Sequence, residues 1–401
     1  MQSHNRTLTT HVGSLIRPPD LVEWLIKEQN GELPDRRPME ATLEKAVEEV
    51  VRQQAEAGVD IVSDGEFSKA IAWSMYVVNR LKGIELRQDV SLDPGKVFGG
   101  KDRRDFADFY AEYEAAAGAF GMGKAHRPPA GTFVVTDAIK YSGHAALRAD
   151  IDRLKRAMAA TPVTEGFLPV VAPISASPYL VDQFYGNEEA LLFGLADALH
   201  DEYRAIVDAG LMVQVDDAFL ASQYDMMVPP KSMKDYRNWA EVGVEALNHA
   251  LRGIPEDRVR YHVCWGSWNG PHSNDVPLSA IADLILRVKA GSYSLEMANP
   301  RHEHEWRVWE NTRLPEGKVL LPGVVTHSTN VVEHPELVAE RIVRLARLVG
   351  RENVIASTDC GFAQGPLVRR VHPSIMWAKL RSLAEGARLA SQVLWGTRSA
   401  A

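Results

Sequence analysis

The stretch RVRYHVCW, residues 258–265, has the composition of a buried β-strand, because strands favour valine, tyrosine and tryptophan. Eight other short segments also have the character of strands. Several of them are nearly continuous apolar runs, as parallel strands covered on both faces must be. With residues 258–265, the candidate strands are residues 9–14, 60–66, 131–137, 168–175, 211–217, 292–298, 318–325 and 353–360.

Amphipathic helical segments separate these strands. Three of them, residues 39–58, 187–210 and 336–350, end in glycine, which is common just after a helix. The alternation of strands and helices indicates an α/β protein with a parallel sheet, and a (β/α)8 TIM barrel fits best. The sequence offers nine candidate strands for the eight strands of a barrel. One of them must therefore lie outside the barrel, and we expect it to be residues 131–137. A doubly wound sheet is the alternative, but no glycine-rich dinucleotide turn follows the first strand.

The domain organisation is expected to be simple. No linker or repeat divides the chain, so we predict one catalytic barrel domain over residues 1–401. The segment at about 83–129 is rich in charge, glycine and aromatic residues. We expect it to be an insertion that forms a helical arm or lid.

Composition excludes several classes of protein. The 401 residues carry a net charge of -8, which argues against binding to nucleic acid or anionic lipid. No apolar run is long enough for a membrane helix, and the first ten residues have no apolar signal core. Two cysteines cannot build a disulfide framework. We therefore expect a cytoplasmic protein, and the sequence leaves a homo-oligomer open.

Reactive side chains recur where the predicted strands end. In a barrel, the carboxyl ends of the strands form the face that carries the chemistry. Residues that are far apart in sequence are therefore expected to meet there. The side chains at or just after these ends are Ser14, Glu66, Asp216, His262, Cys264, Glu296, His327 and Cys360.

Some of these side chains have the chemistry of a metal site. His262 and Cys264 are two positions apart, so on a strand they lie on the same face. Thiolate and imidazole are ligands that Zn2+ selects, and Glu296 and Cys360 would complete a four-coordinate site. The residues alone also allow the two cysteines to be small buried hydrophobic side chains and Glu296 to be a salt-bridged carboxylate.

The ordered set of motifs resembles the catalytic C-terminal barrel of cobalamin-independent methionine synthase and its single-barrel relatives. The resemblance extends over nearly the whole chain, through TTHVGSLIRP, SDGE, VQVDD, HVCW, LEMA, GVVTHS and TDCGF. It implies a zinc ion held by His262, Cys264, Glu296 and Cys360.

The resemblance also implies an amino-acid thiol as a substrate. The turn with Gly13 and Ser14 would hold it through the backbone, and Glu66 and Asp216 would bind its amino group. His327 would donate a proton to the departing group. Taken one at a time, these residues also fit local roles: a turn cap, paired carboxylates or a loop histidine.

Other positions depart from the family pattern. His11 differs in the turn, and Lys124 and Ala125 stand where the family has an Arg-Cys pair for methyltetrahydrofolate. Ile174 lies near the place of a tryptophan of that site, and Ser222 replaces an acidic residue. We therefore expect the part of the site that binds zinc and the thiol to match the family, and the part that binds the alkyl donor to differ from it.

These features predict a zinc-dependent thiol S-alkyltransferase whose partners are a small-molecule thiol and an alkyl donor. Methyl transfer to homocysteine is favoured. One alternative is epoxide opening, as in the related epoxyalkane:coenzyme M transferases. Their sulfonate would need a cation such as Arg17 or Lys69, although each also fits a surface or rim charge. A metal-free enzyme like uroporphyrinogen decarboxylase is the other alternative.

Overall fold

The computed structural model describes residues 2–93, 99–117 and 131–396, and its strands form two sheets. Eight parallel strands follow one another in the order β1, β11, β10, β9, β8, β7, β5, β2, which confirms the predicted barrel. The other three strands form a small sheet in the order β3, β4, β6. The bounds are β1 Leu8–Thr9, β2 Ile61–Val62, β3 Leu81–Arg87, β4 Thr132–Tyr141, β5 Glu165–Val171, β6 Leu180–Asp182, β7 Met212–Asp216, β8 Val259–Val263, β9 Ser292–Leu295, β10 Val319–Val325 and β11 Ile355–Thr358.

The two ends of the large sheet lie side by side. The Asp60 N–H donates to the Thr9 carbonyl at 3.1 Å, and the Thr10 hydroxyl donates to the Ile61 carbonyl at 3.0 Å. These bonds connect β1 to β2 and nearly close the barrel, so the carboxyl ends of its strands form one common face.

The inside of the barrel changes from apolar at one end to polar at the other. Ile61, Phe167, Met212, Val319, Leu321 and Ile355 form an apolar layer. The guanidinium of Arg260 lies 3.7 Å from the centre of the Phe167 ring and donates to Thr10 Oγ1 at 3.0 Å. Two residues further along β8 comes His262, so the polar layer belongs to the carboxyl ends of the strands.

Helices surround the barrel. Asn187 caps the helix Glu188–Asp208 by accepting from the Ala190 N–H at 2.9 Å, and Ser232 with Asp235 forms a capping box at the start of the helix Met233–Ala250. No helix in the described part of the chain is long and apolar enough to span a membrane. The α-helices are α1 Pro19–Gln29, α2 Arg37–Glu56, α3 Lys101–Asp105, α4 Ala107–Ala117, α5 His144–Ala159, α6 Pro173–Ala176, α7 Glu188–Asp208, α8 Ala218–Met227, α9 Met233–Ala250, α10 Ala282–Arg287, α11 Pro335–Val349 and α12 Pro373–Trp395. Short 3-10 helices span Met75–Arg80, Ser177–Tyr179, Glu256–Arg258, Leu278–Ala280, Glu303–Glu310 and Arg351–Asn353.

The small sheet accounts for the ninth predicted strand. Residues 131–137 fall mainly within β4, which pairs antiparallel with β3 and parallel with β6, outside the barrel. The prediction that this strand is the extra one is confirmed. The segment at 83–129 contributes most of β3 as well as helices α3 and α4. Residues 94–98 and 118–130, including Lys124 and Ala125, lie outside the described residues.

Helices α3 and α4 contact the loop that follows β8. The Asp102 carboxylate accepts from the Ser273 N–H at 3.0 Å and from Asn274 Nδ2 at 2.8 Å. Trp268 Nε1 donates to the Tyr110 hydroxyl at 3.1 Å. These contacts hold the two helices against the carboxyl-end face of the barrel.

Two predicted strands extend too far toward that face. Residues 168–175 were expected to be a strand, but β5 ends at Val171, and Pro173 starts α6, where a missing N–H costs nothing. Residues 9–14 contribute only Thr9 to β1, and the rest forms a turn. In both places the chain leaves the sheet at the carboxyl-end face: Val12 and Ser14 then line the cavity, whereas Ile174 packs into the core.

Candidate metal centre and cavity

Three predicted ligands come together at the carboxyl ends of β8 and β11. The ligand atoms of His262, Cys264 and Cys360 lie within 4.8 Å of one another. All three side chains are buried. His262 is in β8 and Cys264 follows its end, while Cys360 comes two residues after β11. The spacing of two residues therefore places both side chains of the H-x-C pair at one centre.

The His262 ring is prepared to use one nitrogen. Its Nδ1 lies 3.1 Å from the Ser294 hydroxyl, whereas its Nε2 is buried and has no hydrogen-bond partner among the described residues. Burial lowers the pKa of His262, which favours the neutral imidazole that metals bind. A buried, unpaired nitrogen next to two thiols fits a divalent cation.

The two thiols interact directly. A hydrogen bond between them lowers the pKa of Cys264 and raises the pKa of Cys360 well above its usual range. Ala218 and the partly buried Trp73 pack against the pair. The two sulfur atoms therefore lie next to each other in an apolar setting, which suits a soft cation.

Glu296 lies beside this centre but is not a member of the group within 4.8 Å. Its Oε1 accepts from the Trp265 N–H at 3.2 Å, and its Oε2 accepts from Asn299 Nδ2 at 2.7 Å. Burial raises the pKa of Glu296 well above its usual range, and the nearby Cys264 adds to the shift. Among the four predicted ligands, Glu296 is therefore the one whose ligand atoms, both carboxylate oxygens, already accept hydrogen bonds within the protein.

Two further residues position Glu296, and sequence reasoning missed them. Asp359 Oδ1 accepts from the Met297 and Ala298 N–H groups, both at 2.8 Å. Asn299 Nδ2 donates to both Glu296 and Asp359. Asp359 directly precedes Cys360, so its place in the TDCGF motif was a signal that could have identified it.

A large cavity opens on the centre. Its volume is about 1490 Å³, and its lining includes His262, Cys264 and Cys360. The lining also includes the polar residues Ser14, Glu66, Lys69, Asp216, Ser222 and Arg370 and the aromatic residues Trp73, Tyr179, Phe219 and Trp268. The cavity thus has aromatic walls and, beside the two cysteines, a polar corner that contains Ser14, Glu66, Lys69 and Asp216.

The predicted substrate turn lies against Glu66. Gly13 has a φ of +127°, and a Cβ there would overlap Pro169 and lie 3.3 Å from Glu66 Oε1, so glycine is required. Glu66 itself has a φ of 62°, which is rare outside glycine. The backbone oxygen of Glu66 accepts from the buried Arg17. This strained arrangement brings the Glu66 carboxylate to the turn.

Asp216 occupies the same corner of the cavity. Its Oδ1 accepts from Gln214 Nε2 at 2.8 Å, and it pairs in register with His262 across β7 and β8. Burial, with a contribution from the neighbouring Glu66, raises the pKa of Asp216 to about 7. Two carboxylates therefore face the cavity next to the candidate ligands.

His327 is buried two residues after the end of β10, and the described cavity lining does not include it. Burial and the positive charges of Arg370 and nearby histidines lower the pKa of His327 to about 3. The imidazole is therefore neutral in this structure.

The predicted departures differ in their surroundings. Ser222 lines the cavity from helix α8. Ile174 is fully buried against Gly243 in the core and is outside the cavity lining. Arg17 and Lys69 are both buried, so their interpretation as surface charges is wrong. His11 is also buried, and its Nε2 lies 2.7 Å from Gln54 Oε1.

Comparison with known proteins places the chain in a family. The sequence model described as cobalamin-independent synthase, catalytic domain, matches residues 170–374. The chain belongs to this family. The prediction of an enzyme of this methyltransferase family is thereby confirmed, and the match favours it over the metal-free decarboxylase.

Individual relatives are distant but match over most of their length. The chain is 22% identical to methionine synthase of Thermococcus kodakarensis, covering 96% of this chain and 94% of the relative. It is 23% identical to methionine synthase of Saccharolobus solfataricus, covering 96% and 95%.

Two solved structures share the fold. The B12-independent methionine synthase from a Shewanella species, in complex with selenomethionine, has a TM-score of 0.71 at 19% identity, covering 98% of this chain and all of the other. A putative vitamin-B12 independent methionine synthase from Listeria monocytogenes has a TM-score of 0.62 at 19% identity, covering 96% and 98%.

Proposed function

We propose that this protein is a zinc-dependent thiol methyltransferase that methylates homocysteine, as the family's methionine synthases do. One observation carries the proposal: His262, Cys264 and Cys360 meet within 4.8 Å at the carboxyl-end face of the barrel, on the wall of a cavity. Family membership supports methyl transfer as the reaction.

The donor set fits zinc. Two thiols and an imidazole nitrogen are soft or borderline ligands that favour Zn2+ over magnesium or calcium, and Glu296, whose carboxylate interacts electrostatically with Cys264, would be the fourth. When bound, zinc would keep an incoming thiol ionised at neutral pH and so supply the nucleophile. Ser294 would keep the proton on His262 Nδ1 and leave Nε2 for the metal.

The polar corner suits an amino-acid acceptor. Glu66 and Asp216 face the cavity together, and an ammonium group between them would be held by charge-assisted hydrogen bonds. Binding the amino group here would orient the thiol toward the two cysteines. Ser14 belongs to the same corner, where it packs against Gly361 just after Cys360.

The apolar side would protect the reacting atoms. Trp73 and Ala218 cover the cysteines, and Tyr179 and Phe219 meet edge to face with ring centres 5.8 Å apart on the cavity wall. Excluding water would prevent loss of the methyl group to hydroxide. On the family pattern we propose His327 as the residue that protonates the departing group of the methyl donor. Because its pKa of about 3 keeps it neutral at pH 7, and because it lies outside the described cavity lining, it would have to take a proton from solvent and pass it on.

The test is a transfer assay on zinc-loaded protein. Homocysteine and coenzyme M are each incubated with a panel of methyl donors and with an epoxide, and both thiol loss and product mass are followed. We expect a product heavier than homocysteine by one methylene group, and loss of turnover with a chelator that zinc restores. Ring-opened adducts of coenzyme M, or turnover that chelators leave intact, would contradict the proposal.

A further inference from the structure

Lys69 is a buried cation in the polar corner. Its Nζ lies 3.3 Å from Glu66 Oε2 and 3.0 Å from the Pro169 carbonyl oxygen, which accepts a hydrogen bond from it. The ammonium also sits 4.3 Å from the centre of the Tyr76 ring. Lys69 lines the cavity together with Ser14, Glu66 and Asp216. A lysine is rarely buried to this degree unless it is paired, and Glu66 is the partner of Lys69 here.

The Lys69 ammonium has more N–H donors than these contacts use. A protonated lysine carries three N–H donors, and Glu66 and Pro169 account for two of them. In the described part of the chain no further hydrogen bond is made by its Nζ. At least one donor therefore remains for a ligand in the cavity.

The backbone of the substrate turn has fewer free N–H donors for an anionic group. The Val12 N–H donates to Thr358 Oγ1 at 3.2 Å, and the Gly13 N–H donates to His11 Nδ1 at 3.0 Å. Two amides that could have received an anionic group are therefore engaged within the protein. His11, which departs from the family pattern, is the residue that occupies one of them.

The charges of Glu66, Asp216 and Lys69 also complement those of an amino acid. An amino acid presents an ammonium and a carboxylate on one carbon. Glu66 and Asp216 together attract the ammonium but repel the carboxylate beside it. Lys69, in contact with Glu66, places a positive charge next to the two negative ones, which matches the charge pattern of a zwitterion.

We propose that Lys69 binds the α-carboxylate of the acceptor amino acid while Glu66 and Asp216 hold its α-ammonium. This inference rests on the proposed function, because it assumes an amino-acid thiol as the acceptor. It makes Lys69 the residue that distinguishes homocysteine from a simple aminothiol. Coenzyme M, which has an anionic group but no ammonium, would satisfy only Lys69.

The experiment compares two thiols in matched variants. Wild type, Lys69→Met, Lys69→Arg and the exposed control Lys289→Met are loaded with zinc. Their methyl transfer is measured with homocysteine and with 3-aminopropanethiol, which lacks the carboxylate. For Lys69→Met we expect KM for homocysteine to rise about 10- to 100-fold, the scale of one charged hydrogen bond. KM for 3-aminopropanethiol should stay within about two-fold, and Lys69→Arg should recover part of the loss.

Several outcomes would overturn the inference. Equal losses with both thiols would mean that Lys69 acts only by positioning Glu66, and no loss with either would remove it from the site. A larger loss with coenzyme M than with homocysteine would assign Lys69 to a sulfonate. Zinc content and thermal unfolding verify that each variant folds, and Lys69→Gln replaces Lys69→Met if the latter does not. A wild-type protein that methylates neither thiol and binds no methionine by calorimetry would instead refute the proposed function itself.

Discussion

Cys264 and Cys360 lie with their sulfur atoms within 4.8 Å of each other, although strands β9 and β10 separate β8 from β11 in the sheet. The two cysteines therefore meet across the mouth of the barrel and not along one edge. The described chain has no other cysteine, and both are free thiols. Two free thiols and a histidine that lie this close together provide the donor set for the metal site that we propose.

The first prediction concerns the two cysteines. Replacing either thiol, as in Cys264→Ser or Cys360→Ser, removes a strong zinc ligand. We expect zinc content to fall and transfer to homocysteine to drop by at least about 100-fold. Metal analysis and the transfer assay measure both effects. Ala218→Ser, which adds a hydroxyl beside the pair without removing a thiol, should keep its zinc. A Cys360→Ser protein with full zinc and full activity would exclude Cys360 from the site.

The second prediction concerns the partner of His262. The Ser294 hydroxyl forms a hydrogen bond with His262 Nδ1 at 3.1 Å and so fixes the orientation of the imidazole ring. Because such partners orient a ligand, Ser294→Ala should weaken zinc binding about 10-fold in a competition titration with a coloured chelator. Ser292→Ala is the matched control, since Ser292 lies on the same strand and its buried hydroxyl has no partner among the described residues. Equal affinities for the two variants would count against a role of His262 as a ligand.

The third prediction asks whether Glu296 binds the metal. If it does, Glu296→Gln should lower zinc affinity about 10- to 100-fold, and Asn299→Ala should lower it less, because Asn299 only orients the carboxylate. Glu303→Gln, at the start of the 3-10 helix that follows this loop and paired with Arg341, is the control. Zinc affinity of Glu296→Gln that equals the wild-type value would show that the carboxylate only organises the loop.

The fourth prediction concerns pH and stability. Burial lowers the pKa of His302, but hydrogen bonds to Asp275 and Glu305 outweigh it and raise the pKa from 6.5 to about 10. A pKa raised by folding stabilises the protein fully below the unfolded value and less as pH rises through the folded one. His302→Gln should therefore lower the free energy of unfolding by about 3–5 kcal/mol at pH 6. The difference from wild type should shrink towards pH 10.

Urea unfolding at pH 6, 8 and 10 measures this difference. The exposed His304, two residues away, supplies the control variant His304→Gln, which should follow wild type at every pH. A constant difference for His302→Gln across this range would show that packing against Trp265, with ring centres 4.3 Å apart, and not charge, is what His302 contributes.

The barrel and its chemical face could be predicted because strands and ligands carry local signals. Residues 258–265 identify β8 by composition, and the spacing of His262 and Cys264 places both on one side of it. The identity of the extra strand at 131–137 was also predictable, since one candidate had to leave the eight-stranded ring. These features depend on neighbours in sequence or on a simple count.

Other features depend on contacts that no sequence pattern encodes. The sequence leaves Lys69 open as an anion anchor or as a surface or rim charge, because only the fold brings Glu66, Pro169 and Tyr76 around it. The hydrogen bond of Asn299 to Glu296 was missed for the same reason, whereas Asp359 could have been identified from its place in the TDCGF motif. The ends of two strands were overestimated because residues 12–14 form a turn at the cavity and residues 173–175 begin a short buried helix.

X-ray absorption at the zinc edge tests the central claim most directly. The zinc-loaded protein should show two sulfur neighbours at about 2.3 Å together with nitrogen or oxygen neighbours at about 2.0–2.2 Å. Adding homocysteine should raise the sulfur count to about three. A zinc spectrum without sulfur neighbours, or one that homocysteine leaves unchanged, would contradict a thiol-activating metal centre in this barrel.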